Sequence, residues 1–119
     1  MVQLQLDINH HFAAGLYAKE HFVPKGHAVA KHVHNYSHLS ILAKGIVYVD
    51  VDGEQTRYEA PACIEIKANC SHVIISETDC IWYCIHATEE AEADLYNTEI
   101  VEGEAYEWMG RLGGDAAVA

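Results

Sequence analysis

The sequence predicts an all-β domain built as an antiparallel sandwich or barrel. Between Leu16 and Ala87, short segments rich in β-branched residues recur between turn signals, and no helical segment separates them. Asp52-Gly53 is a strong signal for a two-residue hairpin turn. Short, evenly spaced strands without intervening helices are typical of antiparallel sandwiches and barrels.

Each predicted strand ends where turn-forming residues begin, such as Pro24-Lys25-Gly26, Lys44-Gly45 and Pro61-Ala62. The predicted strands are 16–23, 27–34, 38–43, 46–51, 55–59, 63–67, 72–76 and 80–86. An N-terminal segment, 2–8, alternates apolar and polar residues and also suits a strand. We expect this segment to pair across a two-fold axis and so form a homodimer.

The last two strands are predicted to form a hairpin around residues 77–79, and two registers are open. One register turns Trp82, Cys84 and His86 toward the barrel interior, and the other turns Ile81, Tyr83 and Ile85 inward. A three-residue turn gives the first register and pairs Ser76 with Cys80 and His72 with Cys84. This register is favoured because it buries the tryptophan.

Four histidines have the spacing of a metal site assembled from two strands. His32 and His34 are two residues apart on a strand, so both side chains point to one face, about 6.6 Å apart. His38 joins them if the chain bends at 35–37, and His72 comes from far along the sequence. A helical pair of His34 and His38 is the rival geometry, and the β-branched neighbours disfavour it.

The other histidines are expected to be surface groups or satisfied core groups, namely His10, His11, His21 and His27. Four cysteines form no C-x-x-C pair, and we interpret them as reduced thiols. If Cys80 and Cys84 lie on one strand, they are about 13 Å apart, which is too far for a disulfide.

Composition limits the partners of this chain. The formal net charge is −11, and residues 89–119 contribute −8 of it, with nine acidic residues and one arginine. The negative electrostatic potential of this chain repels nucleic acid and anionic membrane surfaces. Residues 1–88 are predicted to form one barrel domain and 89–119 an acidic extension whose end, 113–119, is disordered. The absence of an apolar span or signal pattern leads us to expect a cytoplasmic protein.

The spacing of Gly26, His32-Val33-His34, His38 and Gly45 resembles the first motif of the cupins, with histidine at the position where most members carry glutamate. The second cupin motif matches at Pro61, Lys67, Asn69 and His72, and only its histidine is retained. The resemblance covers about residues 16–87. It is strongest to small single-domain cupins in which four histidines at this spacing hold the metal, often manganese.

This resemblance implies a double-stranded β-helix, or jelly roll, often dimeric, with one divalent metal ion in the mouth of the barrel. Manganese or iron is favoured, and nickel, copper or zinc also suits imidazole ligands. The implied function is a dioxygenase-type oxidoreductase that acts on a small molecule. The alternatives are an isomerase or lyase, a non-catalytic metal or ligand binding module, and a closed structural zinc site. The candidate catalytic residues are Tyr36, Cys84 and His86, and Ser40 also lies beside the ligands.

Overall fold

The computed structural model describes residues 3–5, 7–30, 35–87 and 100–102, and every regular element in these ranges is a β-strand. The strands are β1 (Gln3–Gln5), β2 (Asp7–Ala13), β3 (Leu16–Val23), β4 (Ala28–Ala30), β5 (His38–Lys44), β6 (Ile46–Val51), β7 (Glu54–Glu59), β8 (Ala62–Ile66), β9 (His72–Ser76), β10 (Cys80–Ala87) and β11 (Ile100–Glu102). No helix in the described ranges is long and apolar enough to cross a membrane.

The strands form two antiparallel sheets that enclose the core. A six-stranded sheet has the order β1-β11-β4-β9-β6-β7, and a five-stranded sheet has the order β2-β3-β10-β5-β8. This arrangement is a jelly-roll barrel, so the predicted fold class is confirmed. Strands β6 and β9 lie where the sequence predicts them, residue for residue. The alternation predicted for β6 is also observed, since Val47 and Val49 are buried in the core.

Two tight turns connect neighbouring strands. Asp52 and Gly53 both have positive φ and join β6 to β7, as their sequence predicts. Ala14 and Gly15 have positive φ in the same way and join β2 to β3. Strand β2 is not predicted by the sequence, because residues 9–12 lack an apolar alternation.

The predicted hairpin of β9 and β10 is wrong, because the two strands lie in different sheets. His72 pairs with Val51, and Ser76 pairs with Val47, both on β6. Cys84 pairs instead with Ser40 and Lys19 in the other sheet. The connection crosses from one sheet to the other and closes an end of the barrel. There, the Ile46 amide donates to Thr78 Oγ1 at 3.0 Å, and the Lys25 amide donates to Asp79 Oδ1 at 2.8 Å.

The inward face of β10 is nevertheless the one that the sequence favours. Cys80, Trp82, Cys84 and His86 are buried, and the alternate residues are half-buried. All four cysteines are free thiols, as predicted. The interior is therefore mainly apolar toward the closed end, around Trp82 and Leu42, and more polar toward the other end, around His38 and His86. We call the latter the histidine end.

Strand pairing also reaches into the predicted acidic extension. Ile100–Glu102 pairs with Gln3–Gln5 on one side and with β4 on the other. The residues between 88 and 99 and those after 102 lie outside the described residues, as does the segment predicted to be disordered. The boundary at residue 88 stays a prediction.

Candidate metal site

The fold brings His38 and His72 together at the histidine end of the barrel. His38 begins β5 in one sheet, and His72 begins β9 in the other. Their ring centroids are 6.4 Å apart, and their planes are inclined by 49°. Both side chains are buried, with exposed fractions of 7% and 3%. Two of the four predicted metal ligands, far apart in sequence, thus face each other across the interior.

The other two predicted ligands, His32 and His34, lie outside the described residues. Within the part of the chain that the structure describes, no three histidine, cysteine or acidic side chains are arranged to hold a metal ion. The four-histidine set therefore stays a prediction, because only two of its members, His38 and His72, are among the described residues.

The spacing of His38 and His72 is compatible with one shared divalent ion. Imidazole nitrogens bind such ions at about 2.1 Å, so two rings on one ion can have centroids up to about 6.5 Å apart. The observed 6.4 Å is just within this limit. The Nδ1–H group of His72 donates to the carbonyl oxygen of Cys70 at 3.4 Å, which fixes the tautomer and leaves Nε2 as the atom that can bind a metal.

Tyr36 and His86, two of the predicted catalytic candidates, lie beside the His38 ring. The Tyr36 hydroxyl and His86 Nδ1 are 3.1 Å apart, within hydrogen-bond distance. The His86 ring stacks on that of His38, with a centroid distance of 4.6 Å. Tyr36 and His86 thus form a polar, hydrogen-bonded pair next to His38. A small molecule bound near His38 would contact this pair.

Cys84, the third candidate, lies deeper in the interior. The Ser40 hydroxyl donates to its Sγ atom at 3.8 Å, and both residues are buried. Cys84 is next to His86 along the inward face of β10 but one step farther from the opening. The structure thus places Cys84 and His86 inside the barrel and half-buried Tyr36 beside His86 at the histidine end, without assigning a catalytic role to any of them.

Comparison with known proteins identifies the family. A profile described as a cupin domain matches residues 19–86, which is more than half of the chain. The chain belongs to the cupin family. Comparison with curated proteins gives no significant match.

Solved structures similar to this cupin share its fold at low sequence identity. KdgF from a Halomonas species is 15% identical, with a TM-score of 0.64 over 76% of this chain and 85% of its own. An RmlC-like cupin with a double-stranded β-helix fold from Methanocaldococcus jannaschii is 15% identical, with a TM-score of 0.60 over 75% of this chain and 85% of its own.

A third similar structure is that of an enzyme. A mutant of salicylate 1,2-dioxygenase from Pseudoaminobacter salicylatoxidans, in complex with gentisate, is 16% identical, with a TM-score of 0.65. The match covers 84% of this chain and 30% of the dioxygenase chain. At these identities the three similarities demonstrate the fold alone.

Sequence reasoning missed a set of polar residues inside this cupin barrel. Tyr17, Lys19 and His21 alternate along β3 and are buried, with exposed fractions of 0%, 0% and 1%. In sequence, three of the apolar residues of β3, Leu16, Ala18 and Phe22, share one face, so alternation alone would turn that face inward. In the structure, β3 is oriented the other way, with Leu16 and Phe22 on the outward side. The interior therefore holds the buried side chain of Lys19, whose backbone position is paired with that of Cys84 on β10.

Tyr17 connects the site to the surface, and His21 makes a hydrogen bond within the core. The Tyr17 hydroxyl lies 2.7 Å from Nδ1 of exposed His10, and the Tyr17 ring stacks on His86 at a centroid distance of 5.9 Å. His21 Nδ1 donates to the carbonyl oxygen of Trp82 at 3.2 Å. The sequence left open whether His21 is a surface group or a satisfied core group, and the structure shows that it is a satisfied core group.

Proposed function

We propose that this cupin is a metal-dependent oxidoreductase of the dioxygenase type that acts on a small molecule. One divalent ion per chain is held by His32, His34, His38 and His72. The observation that carries the proposal is the approach of His38 and His72 from opposite sheets to a centroid distance of 6.4 Å. The H-x-H spacing of His32 and His34, directly before the bend to His38, supplies the other two ligands.

The ligand set supports this chemistry. Four neutral imidazoles leave a divalent ion with its full charge, so a bound manganese or iron ion would act as a Lewis acid and as the centre where dioxygen reacts. The reaction type is further supported by the salicylate 1,2-dioxygenase structure, which has this fold and holds gentisate. Nickel, copper or zinc would also bind to such ligands in vitro.

The surrounding side chains suit a small polar molecule. Tyr36 and His86 would position the molecule through the hydrogen-bonding groups that they present beside His38. The gentisate held by the salicylate 1,2-dioxygenase structure is an aromatic carboxylate. We therefore propose a substrate that carries a carboxylate.

Metal occupancy is the first test. His72→Ala should lower both the metal content and the melting temperature of protein purified from its own host, because a metal that binds only the folded state stabilises it. His27→Ala is the matched control, since His27 lies near the closed end and hydrogen-bonds to the carbonyl oxygens of Pro24 and Lys25. Equal metal content in the His72→Ala variant and the wild type would remove His72 from the site.

Oxygen uptake tests the reaction. Manganese- and iron-loaded protein would be incubated with gentisate, other aromatic carboxylates and their amides, and oxygen consumption would be followed with an electrode. We expect oxygen consumption with at least one of the carboxylates. Turnover without oxygen uptake would indicate an isomerase or lyase. Ligand binding without turnover would indicate a binding module.

A further inference from the structure

Four aromatic rings form a row across the inward side of the five-stranded sheet, at the histidine end. The row has one residue from each of β2, β3, β10 and β5, namely Phe12, Tyr17, His86 and His38. Tyr17 pairs with Phe12 on one side and with His86 on the other. The register of β10 with β5 continues the row from His86 to His38. We call these four residues the ring row.

The rings of this row are stacked from one strand to the next. The centroids of Phe12 and Tyr17 are 5.0 Å apart, and those of Tyr17 and His86 are 5.9 Å apart. His86 and His38 follow at 4.6 Å. The planes of the three pairs are inclined by only 17°, 24° and 29°. Because stacked rings at such distances attract each other, one continuous stack joins the edge strand β2 to a proposed metal ligand.

Tyr17 is held in place from several sides. It is fully buried, and its ring lies between those of Phe12 and His86. Its hydroxyl lies 2.7 Å from Nδ1 of His10, and the ring of His10 also stacks on it at a centroid distance of 5.7 Å. A side chain that is packed this closely in a protein interior keeps a single rotamer. The phenol ring of Tyr17 is therefore a fixed wall for its neighbour His86.

His86 lies in the ring row between Tyr17 and His38, and it is buried. Its Nδ1 atom is also 3.1 Å from the Tyr36 hydroxyl. Removing the Tyr17 ring would leave a cavity on one side of the His86 imidazole, into which that imidazole could turn. It would then lose its stacking contact with His38. Tyr17 therefore keeps His86 against His38, although it lies one strand farther from His38 than His86 does.

We infer that Tyr17 is a positioning residue of the candidate metal site, which fixes the plane of the His38 imidazole through His86. The inference rests on the proposed role of His38 as a metal ligand. An imidazole that already has its binding orientation loses less conformational entropy when it binds an ion, so the affinity for the ion rises. The facing ligand, His72, is oriented by a different contact, its hydrogen bond to the carbonyl oxygen of Cys70.

The affinity of the full chain for manganese(II) tests the inference, with the EPR signal of the free ion as the readout. Tyr17→Leu removes the ring and should weaken binding about 10- to 100-fold, as the loss of a ligand-orienting contact does. Tyr17→Phe keeps the ring and its stacking, so it should retain the wild-type affinity. Tyr17→Met is measured as a second variant without a ring. Methionine fills the space, so this variant should fold, but its flexible side chain does not hold a ring plane, so binding should again weaken.

Trp82→Leu is the control for lost packing. Trp82 is also buried in the interior on β10, but it is four residues from His86, about 13 Å along the strand. This variant should have a lower melting temperature and the wild-type affinity for manganese. A loss of affinity in Trp82→Leu as large as that in Tyr17→Leu would overturn the inference, because any loss of packing would then weaken the site.

NMR of the imidazole groups in metal-free protein separates this inference from the proposed function. In the wild type and Tyr17→Phe, His38 and His86 should each give one sharp set of resonances. In Tyr17→Leu and Tyr17→Met these resonances should broaden or split, because the rings exchange between orientations. A wild type that binds no manganese would contradict the proposed metal site, and the NMR comparison would still decide the role of Tyr17. Unchanged imidazole resonances in both variants without the ring would overturn that role.

Discussion

His38 and His86 stack inside the barrel with ring centroids 4.6 Å apart and planes inclined by 29°. They lie on the neighbouring strands β5 and β10 and belong to different parts of the proposed site. His38 is a proposed metal ligand, whereas His86 contacts Tyr36 on the side where substrate would bind. A change at position 38 therefore affects both metal binding and the surroundings of the substrate.

We expect His38→Glu to remain metal-loaded while its rate or product distribution changes. Glutamate stands at this position in most cupins that the first motif resembles, and a carboxylate suits a hard ion such as manganese. The added negative charge weakens the Lewis acidity of the metal. Elemental analysis measures the metal content, and oxygen uptake measures the reaction. Loss of metal would mean that the pocket requires imidazole at position 38, and unchanged kinetics would exclude a tuning role.

The hydrogen-bonded pair of Glu20 and Tyr83 should make stability depend on pH in both directions. The Tyr83 hydrogen bond, followed by that of His11, lowers the pKa of Glu20 below its ordinary value of 4.5. The same Glu20 hydrogen bond raises the pKa of Tyr83 above 10.0. The contribution of Glu20 is therefore complete above pH 4.5 and lost as the pH falls through its lowered pKa. The contribution of Tyr83 is complete below pH 10.0 and lost as the pH rises through its raised pKa.

Tyr83→Phe tests this pair. Removing the hydroxyl should cost about 1 kcal/mol of the free energy of unfolding at neutral pH. It should also move the acid unfolding midpoint to higher pH, because Glu20 regains a more ordinary pKa. Chemical denaturation between about pH 3 and pH 8 would measure both effects. If the difference in stability between the variant and the wild type is the same at every pH, the pair does not couple to the titration of Glu20.

The four thiols should differ in reactivity toward iodoacetamide. Cys63 is exposed on β8, whereas Cys80 is 3% exposed. Burial raises the pKa of the Cys80 thiol above 9.0, so little thiolate is present at about pH 8. We expect mass spectrometry to show alkylation of Cys63 first and of Cys80 only after unfolding. Modification of both at similar rates in the native protein would show that the closed end opens readily.

Gly45 should tolerate substitution poorly. Its φ is +95°, and an added Cβ would lie 2.7 Å from Thr78 Oγ1 and 2.8 Å from Cys80 Sγ, close to the Asp79 carbonyl oxygen. Gly45→Ala should therefore cost about 2–4 kcal/mol of the free energy of unfolding, from backbone strain and steric overlap. Gly53→Ala is the control. Gly53 also has positive φ, but an added Cβ would meet nothing within 4 Å, so we expect a loss of about 1 kcal/mol. Equal losses in urea denaturation would contradict the steric argument.

The local pattern of apolar and turn-forming residues was enough to predict most strands and the class of the fold. The alternation of Val47, Val49 and Val51 and the Asp52-Gly53 turn specify one hairpin through residues that are adjacent in sequence. The inward orientation of Trp82, Cys84 and His86 was also predicted, because a tryptophan has more to gain from burial than its neighbours. These features depend on short-range geometry and on hydrophobic burial, which the sequence carries directly.

Strand partners and the orientation of β3 were decided by tertiary structure alone. Nothing near residues 77–79 indicates that β9 and β10 separate into different sheets, because their partners β6, β5 and β3 are distant in sequence. Lys19 is buried, while Phe22 and Leu16 are exposed, against the usual direction of alternation. The sequence by itself determined that this chain forms a β-barrel of the cupin type. Only the packing of the two sheets decided which side of β3 became interior, because both sides of that strand carry side chains that are favourable to bury.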